Sequence, residues 1–234
     1  MAKKACGGSK NASQGKAQGR IHSTKPAARA SIAAMMNAPA KVSDSRSRCA
    51  WAGTDLAYIH YHDTEWGSPS RDDQHLFEML VLESMQSGLS WITILRKREN
   101  FRRAFSNFDI AAVAKYNARK IDKLLADSGI VRNRKKIEAA VANARAARRI
   151  ITEVGSLADF LWSTIGNRPL VNRWKSLSEV PAVTDESRRL AAELKKRGFQ
   201  FLGPTTCYAF MQAVGMVNDH LVGCFRYREL AGKR

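Results

Sequence analysis

The sequence predicts an all-α fold, one core built from many short helices. Three observations predict it. Hydrophobic residues make up 44% of 234 residues, enough to bury a sizeable core in one or two domains. From Cys49 onward, helix-spaced apolar residues and helix-ending residues dominate. Strand alternation is nearly absent.

The predicted helices run over 55–64, 73–87, 90–106, 109–115, 118–127, 131–153, 156–164, 185–197 and 204–214, with a short C-terminal turn near 218–223. In 73–87, Asp72 or Asp73 suits the N-cap, and Gly88 suits a left-handed exit. Glu83 falls between Leu76 and Met79, close to Leu80, whereas Glu78 sits off that apolar stripe. An unpaired carboxylate among apolar side chains costs on the order of several kcal/mol. Helix pattern alone therefore leaves two readings of Glu83: a buried salt bridge to an Arg, or a group lining a cavity. In 131–153, Ile137, Val141, Ala144 and Ile150 mark the core side. Arg132, Arg134, Lys135 and Lys136 make a basic face, either solvated or set against phosphates.

The last two long helices form a hairpin. Lys195, Lys196 and Arg197 favour a helix C-terminus, and Gly198 closes it. Gly203 caps the next helix, with Pro204 at its first position. Phe199, Phe201 and Leu202 are expected to plug the core between the glycines. Such a loop aims free N–H groups at an anion and reads no sequence.

Charge sets the partner. The formal net charge is +18 and the pI is about 10.2. Residues 1–46 hold nine Lys/Arg against one Asp, and the remainder thirty Lys/Arg against twenty Asp/Glu. The folded part is therefore basic in its own right, which points to nucleic acid. No long basic amphipathic helix stands out to favour a membrane surface. No stretch approaches a transmembrane span. Four scattered cysteines do not make a disulfide framework, which favours a reducing compartment with metal-bound or buried thiols; a monomer in the cytoplasm, nucleoid-associated if bacterial, is expected.

Residues 1–46 lack any aromatic residue and read as a disordered basic tail. Their Arg, Ser and Ala content gives a weaker organelle-targeting reading. Residues 47–234 read as one domain, with two lobes possible within it.

Cys49 and His62, with His220 and Cys224, have the composition of a closed tetrahedral Zn²⁺ site. The His220/Cys224 spacing can put both on one helical face, and the set would tie together the two ends of the folded region. His60 competes with His62, and Cys207 with the other thiols. Trp51, Tyr58, Tyr61, Trp66 and Trp91 crowd the early part of the domain. With a stranded carboxylate, these faces suit a flat, positively charged ring.

The segments "YHDTEWG", "LFEMLVLESMQSGLSWITILRKRENFRRAF", "SGIVRNRKKIEAAVANARA" and "LKKRGFQFLGPTTCYAFMQAVGMVNDHLVGC" resemble the bacterial 3-methyladenine DNA glycosylase I family from about Cys49 to Tyr227. The resemblance implies a helix-hairpin-helix glycosylase fold and one structural zinc held by Cys49, His62, His220 and Cys224. It implies Glu83 and Tyr61 at the reacting base, with Tyr58, Trp66 and Trp91 binding it. It places Gly88 and Leu89 where such enzymes fill the gap left in the base stack. Lys195, Lys196, Arg197, Gly198, Gly203 and Thr205 would hold the DNA backbone.

The implied reaction is hydrolysis of the N-glycosidic bond of N3-methyladenine flipped from double-stranded DNA. That base is cationic and leaves readily, so the task is recognition and stabilisation of the sugar cation. Helix-hairpin-helix glycosylases place an Asp after the hairpin to activate water. Asp219 lies nearby but adjoins His220, so it reads either in that role or as support for the metal, and the water-activating group stays open. The hairpin's second helix offers no Lys for a Schiff base, which argues against strand cleavage. The runner-up is a non-enzymatic, zinc-stabilised DNA-binding protein, which needs neither Glu83 nor its aromatic walls. A zinc hydrolase would need an open metal position that four protein ligands do not leave.

Overall fold

The computed structural model describes residues 44–232. Ten α-helices are present among them: α1 (Leu56–Thr64), α2 (Asp73–Gln86), α3 (Trp91–Ala104), α4 (Ile110–Ala114), α5 (Ala118–Ala126), α6 (Arg134–Val154), α7 (Leu157–Ser163), α8 (Asp185–Lys196), α9 (Pro204–Ala213) and α10 (Phe225–Ala231). A two-residue parallel pair joins β1 (Leu170–Val171) to β2 (Val217–Asn218), so the fold is all-α in substance.

Side-chain caps account for most of the helix starts. Asp55, Asp72, Asp109, Asn117, Asn133, Ser156 and Thr184 each accept a backbone N–H from the first turn. Asp73 caps a different helix from its own, accepting the N–H groups of Leu157 and Ala158 and so docking α7 on α2. Gly198 follows α8 at φ 88°, and Pro204 opens α9.

Helix α2 is the axis of the core. Every residue from Leu76 to Met85 is buried, so this stretch of the helix has no solvent face. It packs against α3, α6, α7 and α9. Glu78, expected off the apolar stripe, is therefore buried at 6% exposure and ion-paired. Its Oε1 accepts from Arg98 Nε at 2.8 Å and Arg102 Nε at 2.7 Å, and Glu65 takes Arg98 Nη1 at 2.7 Å. The buried Glu–Arg salt bridge exists, but at Glu78 and not at Glu83.

Two further expectations are corrected. The turn placed near 218–223 is instead β2 followed by an irregular loop, and the last helix comes later, at Phe225–Ala231. His220 and Cys224 thus share a loop and not a helical face. Phe199 and Leu202 do plug the core, but Phe201 points outward at 44% exposure.

No helix among the described residues is long and apolar enough to cross a membrane. The segment 1–43 assigned to the tail lies outside the described residues. Asp44 and Arg46, near its end, meet Arg48 and Asp63, and the Arg46 guanidinium lies 4.6 Å from the centre of the Phe225 ring.

Candidate active site and metal cluster

Helix α2 carries Glu83 into the wall of a cavity of about 290 Å³. Tyr58, Tyr61, Trp51 and Trp66 from the first segment and Trp91 from α3 line the same space. Trp51 stands edge-on to Trp66 at 4.9 Å and to Tyr58 at 5.6 Å, while Tyr61 and Trp91 lie 5.6 Å apart. The backbone N–H of Ile92 donates to Tyr58 Oη at 3.1 Å, which fixes that ring against the start of α3. Trp91 Nε1 is buried with no hydrogen-bond partner among the described residues.

Glu83 is 5% exposed, and no ion pair or side-chain hydrogen bond among the described residues engages its carboxyl group. Burial pushes its pKa up to about 8. Burial also raises the Tyr61 phenol, helped by the charges of Glu65 and Glu83. The cavity therefore holds a carboxyl group that gains by meeting a cation.

The structure also brings in residues that sequence reading left out of the site. Gln86 lies one turn beyond Glu83 and lines the cavity. Leu177 and Val180 come from the long connection after β1, and Ala209 and Gln212 from α9. Nothing in local periodicity points to the connection. The Ala209 and Gln212 spacing matches one face of α9, a signal open to reading.

Asp219 lines this cavity and is absent from the metal cluster, so of its two readings the structure does not bear out the metal-support one. Asn172 Nδ2, Trp174 Nε1, Tyr208 Oη and Gln212 Nε2 all donate to its carboxylate at 2.6–2.8 Å. The support beside the cluster comes instead from Asp63. It accepts from His62 Nδ1 at 2.8 Å and pairs with Arg48.

Cys49, His62, His220 and Cys224 converge, with their ligand atoms all within 4.8 Å of one another. Cys224 Sγ stands 3.4 Å from His62 Nε2 and 3.6 Å from His220 Nδ1, and Cys49 Sγ stands 3.7 Å from His220 Nδ1. Zn–S and Zn–N bond lengths put tetrahedral ligands about 3.3–3.8 Å apart, so the spacing fits a metal. The far imidazole nitrogens are committed elsewhere, His62 Nδ1 to Asp63 and His220 Nε2 to the Trp66 carbonyl at 3.0 Å. Both facing nitrogens are thereby left as acceptors. A side chain at Gly67 would put its Cβ 2.9 Å from His220 Nε2, so glycine is what lets the chain pass there. His60 and Cys207 take no part in the cluster.

Around the cavity, Gly88 turns the chain at φ 83° and leaves Leu89 41% exposed. Lys136 Nζ donates to the Met85 and Ser87 carbonyls at 3.0 and 2.6 Å, holding the end of α2. At the hairpin, Lys195, Lys196, Gly198, Gly203 and Thr205 are exposed and Arg197 is half-buried. Lys196 pairs with Glu193 and Arg197 with Glu153, leaving Lys195 without an ion pair among the described residues.

A cavity this small, with walls this flat, admits one aromatic ring system, and a base in duplex DNA reaches such a place only by leaving the stack. The class so defined is that of base-excising enzymes. The chain belongs to the methyladenine glycosylase family, whose model matches residues 51–227. It is 49% identical over 180 residues to DNA-3-methyladenine glycosylase 1 of Escherichia coli K12, covering 77% of this chain and 96% of that one. DNA-3-methyladenine glycosylase of Haemophilus influenzae is also 49% identical, over 178 residues, covering 76% and 96%. A Staphylococcus aureus 3-methyladenine DNA glycosylase I structure, described as showing the basis of 3-methyladenine recognition, has 39% identity and a TM-score of 0.75, covering 78% and 97%.

Proposed function

We propose that this protein is a DNA repair glycosylase that hydrolyses the N-glycosidic bond of N3-methyladenine extruded from double-stranded DNA. The observation that carries this reading is Glu83, a buried carboxyl group with no partner among the described residues, in an aromatic cavity. A cationic purine restores the charge balance there, and neutral adenine forfeits the electrostatic gain. Tyr58, Tyr61, Trp66, Trp91 and Trp51 supply ring faces. The methylated base is already a good leaving group, so the pocket mainly recognises and holds it. The four-donor network orients the Asp219 carboxylate at the cavity wall, where it can favour positive charge developing on the sugar. The test is release of free base from methylated duplex DNA. Undiminished DNA binding with no base released would favour the non-enzymatic DNA-binding reading.

The backbone grip is assigned to the loop between α8 and α9, in the manner of a helix-hairpin-helix motif. Lys195, Lys196 and Arg197 approach phosphates, and Gly198, Gly203 and the Thr205 N–H complete the contact. Leu89, presented by the Gly88 turn, fills the vacated stack. The protein acts as a monomer in the cytoplasm.

The Cys/His cluster is assigned one structural Zn²⁺. Four protein donors leave no position for water or substrate, and the cluster joins the segment before α1 to the segment before α10. Cys49→Ala or His220→Ala is expected to lower thermal stability by several degrees or more, with base release per folded molecule retained. Metal analysis of protein purified without added zinc, followed by melting of both variants, checks this. A metal-free wild type of full stability would remove the site.

The basic tail of residues 1–46 is assigned an auxiliary role in non-specific DNA binding. Deleting residues 1–43 removes eight Lys/Arg and no acid, while keeping Asp44 and Arg46 on the folded body. Base specificity and melting temperature are expected to hold. Affinity for undamaged DNA should fall, with a shallower dependence on salt. A large drop in melting temperature would show that the tail is part of the fold.

A further inference from the structure

Phe201 combines two features that ordinary packing does not explain. Its backbone is left-handed, at φ 57°, a region costly for a bulky residue. Phe201 is 44% exposed, although the loop's other large apolar residues, Phe199 and Leu202, are buried. A core-plugging residue would not carry backbone strain in order to face solvent.

The loop that presents the ring is held firmly. Asn143, fully buried in α6, clamps Gln200 through both backbone groups, donating to its carbonyl at 3.1 Å and accepting its N–H at 2.8 Å. Arg149 donates to the Arg197 carbonyl at 3.1 Å. Gly203 then starts α9, whose free N–H groups form the proposed phosphate grip. The ring thus stands on a rigid loop between the cations at the end of α8 and the N-terminus of α9.

We infer that Phe201 is a DNA-contacting residue, its ring packing on the deoxyribose of a nucleotide whose phosphate the hairpin holds. The inference rests on the DNA-binding role assigned to that hairpin. The partner is DNA because the surrounding exposed groups are cationic, and the contact is apolar and independent of sequence. Strain stored at Phe201 keeps the ring outward, so no ordering cost falls on the binding step.

The test uses Phe201→Gly and Phe201→Asn, both of which tolerate positive φ. If the ring only contacts DNA, each variant melts at the wild-type temperature or about 1–4 °C above it, because strain is relieved. Affinity for a short undamaged duplex falls about 5- to 50-fold. The slope of log affinity against log salt stays at the wild-type value, since no ionic contact is lost. Lys195→Ala, as comparison, lowers that slope. Unchanged affinity overturns the inference. So does a lower melting temperature, which would assign the ring to packing, or a reduced salt slope. Failure of the wild type to release methylated base would overturn the glycosylase reading alone, because duplex binding still decides Phe201.

Discussion

Glu83→Gln is expected to slow release of 3-methyladenine about 30- to 1,000-fold, the equivalent of roughly 2–4 kcal/mol for one charged hydrogen bond in a pocket of low dielectric. Gln keeps the shape and some hydrogen bonding, so the loss isolates charge. Affinity for undamaged DNA should hold, because the hairpin is untouched. The pH dependence follows from burial, which raises Glu83 to about 8. At pH 7 the free cavity therefore holds mostly the protonated form, and a cationic base must expel that proton to gain its partner. In wild type, kcat/KM should rise with pH and level off near 8, and the Gln variant should lose this limb. Wild-type rates in the Gln variant would defeat the account of recognition.

The same shift sets a stability effect of opposite sign. The folded pKa of Glu83 lies above its unfolded value of 4.5, so burial costs nothing below pH 4.5, and the penalty grows until about pH 8. Glu83→Gln should therefore melt with wild type near pH 4.5 and above it at pH 8. A site tuned for a cation is destabilising while it waits for one.

Glu78→Gln is the contrasting substitution and is expected to destabilise. It leaves Arg98, 1% exposed, with Glu65 alone, and frees Arg102 from its buried partner. Removing one member of a buried ion pair costs about 3–5 kcal/mol, and the retained Glu65 contact puts this case nearer 2–4. For a protein of this size the melting temperature should drop by roughly 5–15 °C. Burial alone would raise the Glu78 carboxyl, but the His75 imidazole 3.9 Å away and the Arg98 and Arg102 guanidiniums outweigh it and hold it well below the carboxylate range. Its stabilisation is therefore full above pH 4.5 and lost as pH falls below that, so wild type and variant should converge in acid. Base release per folded molecule should persist at 25 °C. A wild-type melting curve at pH 7 would show that the network contributes nothing.

The two glutamates mark where sequence reading stops. Glu78 and Glu83 lie on one helix, and the apolar stripe takes in Glu83 but not Glu78. Helix α2 is buried on every side from Leu76 to Met85, so that stretch has no polar face for periodicity to reveal. Which carboxylate meets an arginine depends on where α3 brings Arg98 and Arg102, a tertiary matter. The choice between the two readings of Asp219 is tertiary for a related reason. Its neighbour His220 is in the metal cluster, but the two side chains leave the loop in different directions, and only packing shows that Asp219 faces Tyr208 and Gln212.

The sequence by itself determined the helical class and most helix boundaries through local caps, and its family resemblance singled out the four Cys and His positions and the aromatic set around Glu83. Those are carried by short-range chemistry or by residue types with few other uses. Only the tertiary structure decided which acid is neutralised, that Leu177 and Val180 close the cavity from a distant connection, and that Phe201 turns outward. The physical reason is common to all three. Burial and charge pairing are properties of the space between elements, and a residue's own neighbours in the chain do not define that space.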